Sequence, residues 1–228
     1  MKKLHLTFLL FFSALMVGYA QDSKKFSETG FTKLSMGSAF NITVTQGKTY
    51  NITVQGRSED INDLKASVKN GVFYLGYQTN GFSRFHRSVS VDITMPTLES
   101  VEFSGATKVN VSKFEHVKKM DVAISGASQV VMNFTTSKVN MELSGASSLT
   151  LIGSCDILNG EVSGASSFKG KGFSCKEVNI DASGASKALV LASNSVHAKA
   201  SGASSVRYSG SASDIHSSTS GASSVKHD

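Results

Sequence analysis

This chain contains two cysteines, and their spacing could allow them to react with each other. Cys155 and Cys175 each stand nine residues before the glycine of a recurring Ser-Gly-Ala tripeptide. If successive copies of that tripeptide stack, the two thiols lie on neighbouring strands about 4.8 Å apart, within reach of a disulfide. We therefore predict a cysteine pair that can oxidise to a disulfide in a secreted protein. Two reduced thiols in a buried column are the alternative.

A polar row recurs five residues before the same glycines. Its members are Asp121, Asn140, Asn159, Asn179, His197 and His216. The three consecutive asparagines predict an amide ladder that hydrogen-bonds from strand to strand, with plain solvation as the alternative. His197 and His216 share one offset, and the sequence places no cysteine or carboxylate cluster beside them. They are assigned no metal.

A second row, three residues before the glycines, is partly acidic. It contains Glu102, Glu142, Glu161, Asp181 and Lys199. Like charges stacked at strand spacing repel one another, and a calcium ion or nearby lysines would relieve the repulsion. Because the carboxylates come from one face and do not converge, we predict a solvated stripe and no metal site.

The segment from residue 77 to residue 87 combines aromatic and basic side chains, which are enriched at binding hot spots. The candidate binding residues are Tyr77, Phe82, Arg84, Phe85, His86 and Arg87. Aromatic rings also stack on sugars, so the segment is a predicted binding site for a glycan or a protein. In the alternative interpretation, the aromatic rings fold back over the first coil and plug it.

Catalysis is not indicated. A glycosidase needs two carboxylates that flank a cleft, and these repeats contain few long insertions to build cleft walls. No other set of residues meets the geometric requirements of an active site. We therefore predict a protein that is not an enzyme, with no catalytic residues and no cofactor. A carbohydrate-active enzyme is the weakest alternative.

All these positions depend on one repeat. Ser-Gly-Ala occurs seven times, with glycines at Gly105, Gly126, Gly145, Gly164, Gly184, Gly202 and Gly221, in steps of 18 to 21 residues. Even offsets from the glycine are mostly apolar and odd offsets mostly polar or small, which indicates strands with one buried face. Since the same order of residues returns at every step, we predict an all-β parallel β-helix of about seven coils. The glycine falls on the even series and is predicted to point inward, at a corner of the core.

Residues 21–96 differ in texture from the repeats at 97–228 and are predicted to form antiparallel strands and hairpins that cap the solenoid. The near-copies at 41–44 and 51–54 predict one antiparallel pair, and Asn70-Gly71 predicts a hairpin turn. Ser58 is expected to cap a short helix. The far end has no predicted cap, so oligomerisation through this C-terminal edge is a further expectation.

Residues 1–20 have the features of a signal peptide. Lys2 and Lys3 precede an apolar run from Leu4 to Val17, and a small-x-small site ends at Ala20. Removing the two lysines lowers the formal charge from +6 to +4, too little to indicate nucleic-acid binding. No other segment is long enough to span a membrane. We expect secretion across the inner membrane to the periplasm, the outer membrane surface or the exterior.

A resemblance emerges from the junction between the two regions. The run Val91-Asp-Ile-Thr-Met-Pro-Thr-Leu, followed by Val101-Glu-Phe-Ser-Gly-Ala and regular Ser-Gly-Ala repeats, resembles the putative auto-transporter adhesin, head GIN domain family over residues 30–228. The resemblance implies a secreted or envelope protein with a right-handed, single-stranded parallel β-helix, and the handedness agrees with the crossover rule. It transfers no catalytic residues. We therefore expect a surface protein that binds a glycan or protein partner, and second a structural or assembly module.

Overall fold

The computed structural model describes residues 22–78 and 86–228 of the chain. The predicted signal peptide lies outside these residues. Within them the chain forms seventeen strands and one short helix, α1 (Ser58–Asn62). The first nine strands are β1 (Asp22–Phe26), β2 (Lys33–Met36), β3 (Phe40–Gln46), β4 (Asn51–Gly56), β5 (Leu64–Lys69), β6 (Val72–Tyr77), β7 (Val89–Met95), β8 (Ser100–Phe103) and β9 (Lys108–Phe114). The others are β10 (Lys119–Ile124), β11 (Gln129–Leu143), β12 (Ser148–Val162), β13 (Ser167–Ala182), β14 (Lys187–Ala200), β15 (Ser205–Ser209), β16 (Asp214–Thr219) and β17 (Ser224–His227).

Strands β8 to β17 stack as a parallel β-solenoid, which confirms the predicted fold class. Each coil places one strand segment on either side of a Ser-Gly-Ala turn. Equivalent residues of successive coils are direct partners, for example Val139 with Leu158 and Leu158 with Val178. This register holds because a slip of one residue would move every apolar side chain to the solvent face.

The core is built from the side chains at even offsets from the repeat glycine, as the sequence predicts. Val130, Leu149 and Phe168 lie four residues after their glycines and are fully buried. Phe134 and Phe173 meet inside the solenoid with their ring centroids 5.2 Å apart. Each large apolar side chain that is buried in this way stabilises the fold by roughly 1.5–3 kcal/mol before ordering entropy is subtracted.

The repeat glycines are exposed, so the prediction that they point into a core corner is wrong. Each adopts a left-handed φ of 70° to 72° in the turn. A Cβ on Gly126 or any later glycine of the series would lie 2.4 to 2.9 Å from the carbonyl oxygen of the glycine one coil earlier. Glycine is required by the backbone angle and by the close stacking of the turns.

The small residue that does point inward is the serine two positions after the glycine. Ser128, Ser147 and Ser166 are buried. The Ser147 hydroxyl donates to the carbonyl of Ser144 at 2.8 Å, and the Ser128 hydroxyl donates to that of Ser125 at 2.9 Å. These bonds satisfy buried hydroxyls and close each turn.

The N-terminal region contains three antiparallel pairs, of which the sequence predicts only the β5–β6 hairpin, and it contains strands that stack in parallel with the solenoid. β1 pairs with β4, β4 with β7, and β5 with β6, all antiparallel. However, β2 and β3 pair in parallel with β8 and β9, so the segment 33–46 is itself a coil of the solenoid. Ser38, with a φ of 83°, occupies the place of the repeat glycine there.

Two local predictions in this region need correction. The near-copies in β3 and β4 do not pair with each other, because β7 bonds to both, in parallel to β3 and antiparallel to β4. The N-cap of α1 is Arg57, and Ser58 is already helical, with its hydroxyl bonded to Asp22. The hairpin at Asn70-Gly71 is confirmed, with φ of 50° and 74°. No helix among the described residues is long and apolar enough to cross a membrane.

Candidate functional site

A groove runs along the solenoid axis on the outer face formed by strands β11, β12, β13, β14 and β16. Its two walls are the amide row (Asn140, Asn159, Asn179) and the carboxylate row (Glu142, Glu161, Asp181). Both walls continue onto the last coils, with His197 and His216 in one and Lys199 and Ser218 in the other, and the open groove has a volume of about 650 Å³. Residues two apart on a strand face the same side, so each coil contributes one side chain to each wall. The floor is the backbone of the inward residues between them, such as Gly160.

The amide row is a continuous hydrogen-bonded ladder, as predicted. The Asn159 amide donates to Asn140 Oδ1 at 3.2 Å, and the Asn179 amide donates to Asn159 Oδ1 at 3.0 Å. The ladder begins at Asp121, whose Oδ1 accepts from the Asn140 amide at 2.8 Å. Each amide group carries a second N–H, so a fixed row of donors remains along this wall.

Asp121 is anchored at the start of this ladder. Burial acts to raise the pKa of its carboxyl, but hydrogen bonds from Asn140 and Lys119 outweigh burial and hold the pKa below its usual value. The Lys119 ammonium lies 2.9 Å from Asp121 Oδ1. The carboxyl group at which the ladder begins is therefore ionised at neutral pH.

The carboxylate row brings like charges side by side. Glu142, Glu161 and Asp181 are exposed and are direct partners in register on β11, β12 and β13. Lys199 follows in the same row, with its Nζ 3.9 Å from Asp181 Oδ2. This wall carries negative charge opposite a neutral amide wall, which favours hydrogen-bond donors and disfavours anionic ligands.

Histidines continue the amide row onto the last coils, and a carboxylate accompanies them. Asp214 Oδ1 lies 3.0 Å from His216 Nδ1, and Asp214 Oδ2 lies 3.8 Å from His197 Nε2. The expectation that these histidines meet no carboxylate cluster is therefore wrong with respect to Asp214. The sequence contained the signal, because Asp214 and His216 are two residues apart on one strand and face the same side.

The described part of the predicted binding segment packs against the N-terminal coil. The Tyr77 ring stacks on His86 with centroids 3.6 Å apart and meets Phe40 at 5.5 Å. Burial raises the pKa of Tyr77 to about 12. The Arg87 side chain is exposed. Phe82, Arg84 and Phe85 lie outside the described residues, so a binding role for this segment stays a prediction.

Asp60 fixes the base of the same segment. Its carboxylate is buried and accepts from Arg57 Nε at 2.7 Å and from the second guanidinium nitrogen at 3.0 Å. The Arg87 backbone N–H also points to it, at 3.4 Å. These bonds, the one from Arg57 foremost, hold the pKa of Asp60 below its ordinary value of 3.8.

Acid is expected to weaken this anchor. A carboxyl whose folded pKa is depressed stabilises above its unfolded pKa, and that stabilisation is lost as pH falls through the folded value. Asp60→Asn should lower the free energy of unfolding at pH 7 by about 1.5–3 kcal/mol and flatten its fall as pH drops below about 4. Urea denaturation at each pH measures both effects. The exposed Asp92→Asn is the control, and an unchanged acid slope in Asp60→Asn would refute the role.

The two cysteines are placed as the repeat predicts. Cys155 on β12 and Cys175 on β13 are direct partners in register, and both are buried with free thiols. A hydrogen bond to Cys175 and burial raise the pKa of the Cys155 thiol, which suppresses the thiolate needed for exchange. Formation of the disulfide stays a prediction.

Comparison with known proteins identifies a matching family and several similar structures. Residues 30–212 match the family described as putative auto-transporter adhesin, head GIN domain. A crystal structure of a putative adhesin from Bacteroides fragilis is similar, with a TM-score of 0.87 at 20% identity over 92% of this chain and 98% of that one. A putative adhesin from Parabacteroides distasonis has a TM-score of 0.73 at 17% identity, covering 92% and 97%.

A third similar structure has another description. A putative lipid binding protein from Parabacteroides distasonis has a TM-score of 0.68 at 12% identity, covering 91% of this chain and 96% of that one. Identities this low show a shared fold alone. No curated protein matches the chain. The family match covers most of the sequence and includes the amide and carboxylate rows of the groove, so the chain belongs to the putative auto-transporter adhesin, head GIN domain family.

Proposed function

We propose that this protein is a non-enzymatic binding module of the cell envelope or surface that holds a glycan chain in the groove. The observation that carries the proposal is the asparagine ladder that faces a carboxylate row across the groove. The predicted signal peptide and the adhesin family support a place outside the cytoplasm.

Sugar hydroxyls fit both walls. Carboxylates accept hydrogen bonds from hydroxyl groups, and such charge-assisted bonds are about twice as strong as neutral ones. The amide N–H groups of Asn140, Asn159 and Asn179 can donate to hydroxyl or ring oxygens. Because each coil repeats the pair at about 4.8 Å, an extended chain would meet the same donors and acceptors several times.

The chemistry of the groove also selects among ligands. The exposed Glu142, Glu161 and Asp181 disfavour anionic polymers, so the proposed ligand is a neutral or cationic glycan. One structural neighbour is described as a putative lipid binding protein, but a groove that holds a lipid chain would require apolar walls. The side chains along both walls end in amide and carboxylate groups, which favours a glycan over an acyl chain, and the apolar atoms that form the larger share of the lining can contact the C–H faces of sugar rings.

A glycan array probed with the purified full chain, followed by calorimetry on the strongest binder, tests the proposal. Glu161→Gln removes one charge from the centre of the groove and should weaken binding about 10-fold. Glu177→Gln makes the same change at an exposed position on β13 outside the groove, and should leave affinity unchanged. Equal effects in both variants, or an array without any binder, would refute the proposal.

The predicted binding site in the segment 77–87 is tested in the same experiment. Combined alanine substitution of Phe82, Arg84 and Phe85 should leave groove binding intact. Loss of binding in that variant, with Glu161→Gln unaffected and an unchanged melting temperature, would move the site to the segment 77–87.

An assembly role is the second candidate. Among the described residues, β16 and β17 pair along one edge only, with β14 and β15, and most of β16 is exposed. An unpaired strand edge can add a strand from another chain. Sedimentation velocity separates the two candidates, because the binding module needs only a monomer and the assembly role needs a concentration-dependent oligomer.

A further inference from the structure

Three side chains with metal-binding atoms converge at the C-terminal end of the solenoid, in a cluster formed by His197, Asp214 and His216. Asp214 and His216 are two residues apart on β16, so they face the same side of the strand. His197 on β14 is the direct register partner of His216 on the next coil. Strand geometry therefore sets the three residues at the corners of a small triangle.

The distances within the cluster are close to those of a metal site. One ligand atom from each residue lies within 4.8 Å of the others, and the imidazole rings stand 4.9 Å apart. Zinc binds nitrogen and oxygen ligands at about 2.0–2.2 Å, so two atoms that share an ion are separated by roughly 3–4 Å. All three side chains are exposed, and small rotations would close them around one ion.

We propose that this cluster binds a divalent transition-metal ion such as Zn²⁺, and that the ion clamps the last coil to the one before it. Two imidazoles and one carboxylate are a ligand set that zinc and its neighbours prefer over calcium or magnesium. Three protein ligands leave a fourth coordination position for water or another donor. The ligand set does not require a bound glycan, although His197 and His216 also line the C-terminal end of the groove.

The position of the cluster gives the ion a structural task. The side chains of β16 are mostly exposed, and Ile215 is half-buried where Val196 and Val178 in the same column are fully buried. The apolar core therefore holds the terminal coil weakly. An ion that bridges His197 on β14 to Asp214 and His216 on β16 would bind only when the two strands are paired, so it stabilises that pairing.

Calorimetric titration of Zn²⁺ into the chelator-treated full chain tests the site. We expect one ion per chain. His197→Ala, His216→Ala and Asp214→Asn should each weaken Zn²⁺ binding about 10-fold or more. His227→Ala is the matched control, because His227 is an exposed histidine of the final strand that contacts Tyr208 instead of the cluster. Circular dichroism of each metal-free variant checks that the fold is intact.

Hydrogen exchange tests the clamp itself. Saturating Zn²⁺ should slow exchange of the amides in β16 by about 10-fold, and Asp214→Asn should abolish that protection. Failure of the folded chain to bind Zn²⁺, binding that survives all three substitutions, or an equal loss in His227→Ala would overturn the site. Binding at the cluster without any change in β16 exchange would overturn the clamp.

Discussion

Gly145→Ala should lower the free energy of unfolding by about 2–5 kcal/mol. Gly145 has a φ of 72°, a left-handed angle that costs a residue with a Cβ roughly 1–2 kcal/mol. The new Cβ would also lie 2.5 Å from the carbonyl oxygen of Gly126, which accepts the Ala146 N–H at 2.8 Å. Relief of the clash must therefore lengthen a hydrogen bond between coils. Chemical denaturation followed by circular dichroism measures the loss.

Gly76→Ala is the control for this prediction. Gly76 lies in β6, its φ is not left-handed, and no atom stands within 4 Å of the position that its Cβ would take. The same substitution there should change stability by no more than about 0.5 kcal/mol. If both variants lost stability equally, the close stacking of the repeat turns would not be the reason for their glycines.

Phe134→Ala is expected to cost about 3–5 kcal/mol, the usual range for removing a buried aromatic ring. Phe134 is fully buried in β11, and its ring packs at 5.2 Å against Phe173 two coils further along the solenoid. The substitution leaves a cavity between coils, which cannot collapse without breaking the register of β11 to β13. Thermal and urea unfolding report the change.

Ile152→Ala provides the comparison, because Ile152 is on β12 but 42% exposed. Its loss should be within about 0.5 kcal/mol. A small effect in Phe134→Ala would contradict the view that the stacked aromatic interior, and not the ladder hydrogen bonds alone, holds the middle coils together. Each coil contacts mainly its neighbours, so a large local loss can appear as an early step in a broadened transition.

Both predictions bear on the groove, because its walls depend on coil register. The amide of Asn159 reaches Asn140 and Asn179 only while β11, β12 and β13 remain paired residue for residue. A variant that shifts this register should lose the proposed glycan affinity together with stability. Glu161→Gln, in contrast, should lose affinity alone.

The sequence by itself determined which residues stack on one another in successive coils. A period of two within the strands and a step of 18 to 21 residues between them suffice to stack Asn140 on Asn159 and Cys155 on Cys175. Burial enforces this outcome, because any other register would expose the apolar face. The alternation also identified the core residues, since Leu149 and Phe168 stand at even offsets.

The tertiary structure alone decided what happens at turns and between distant segments. The alternation of inward and outward side chains holds only within a strand. The left-handed turn interrupts it, so the glycines face solvent although their offset is even. The sequence also did not predict which strands pair across long separations. β7 lies between β3 and β4, and the segment 33–46 joins the solenoid as a coil. The cluster of His197, Asp214 and His216 likewise exists only because β16 pairs with β14. Local periodicity specifies which face a residue occupies, whereas the choice of neighbouring strand depends on packing of the whole chain.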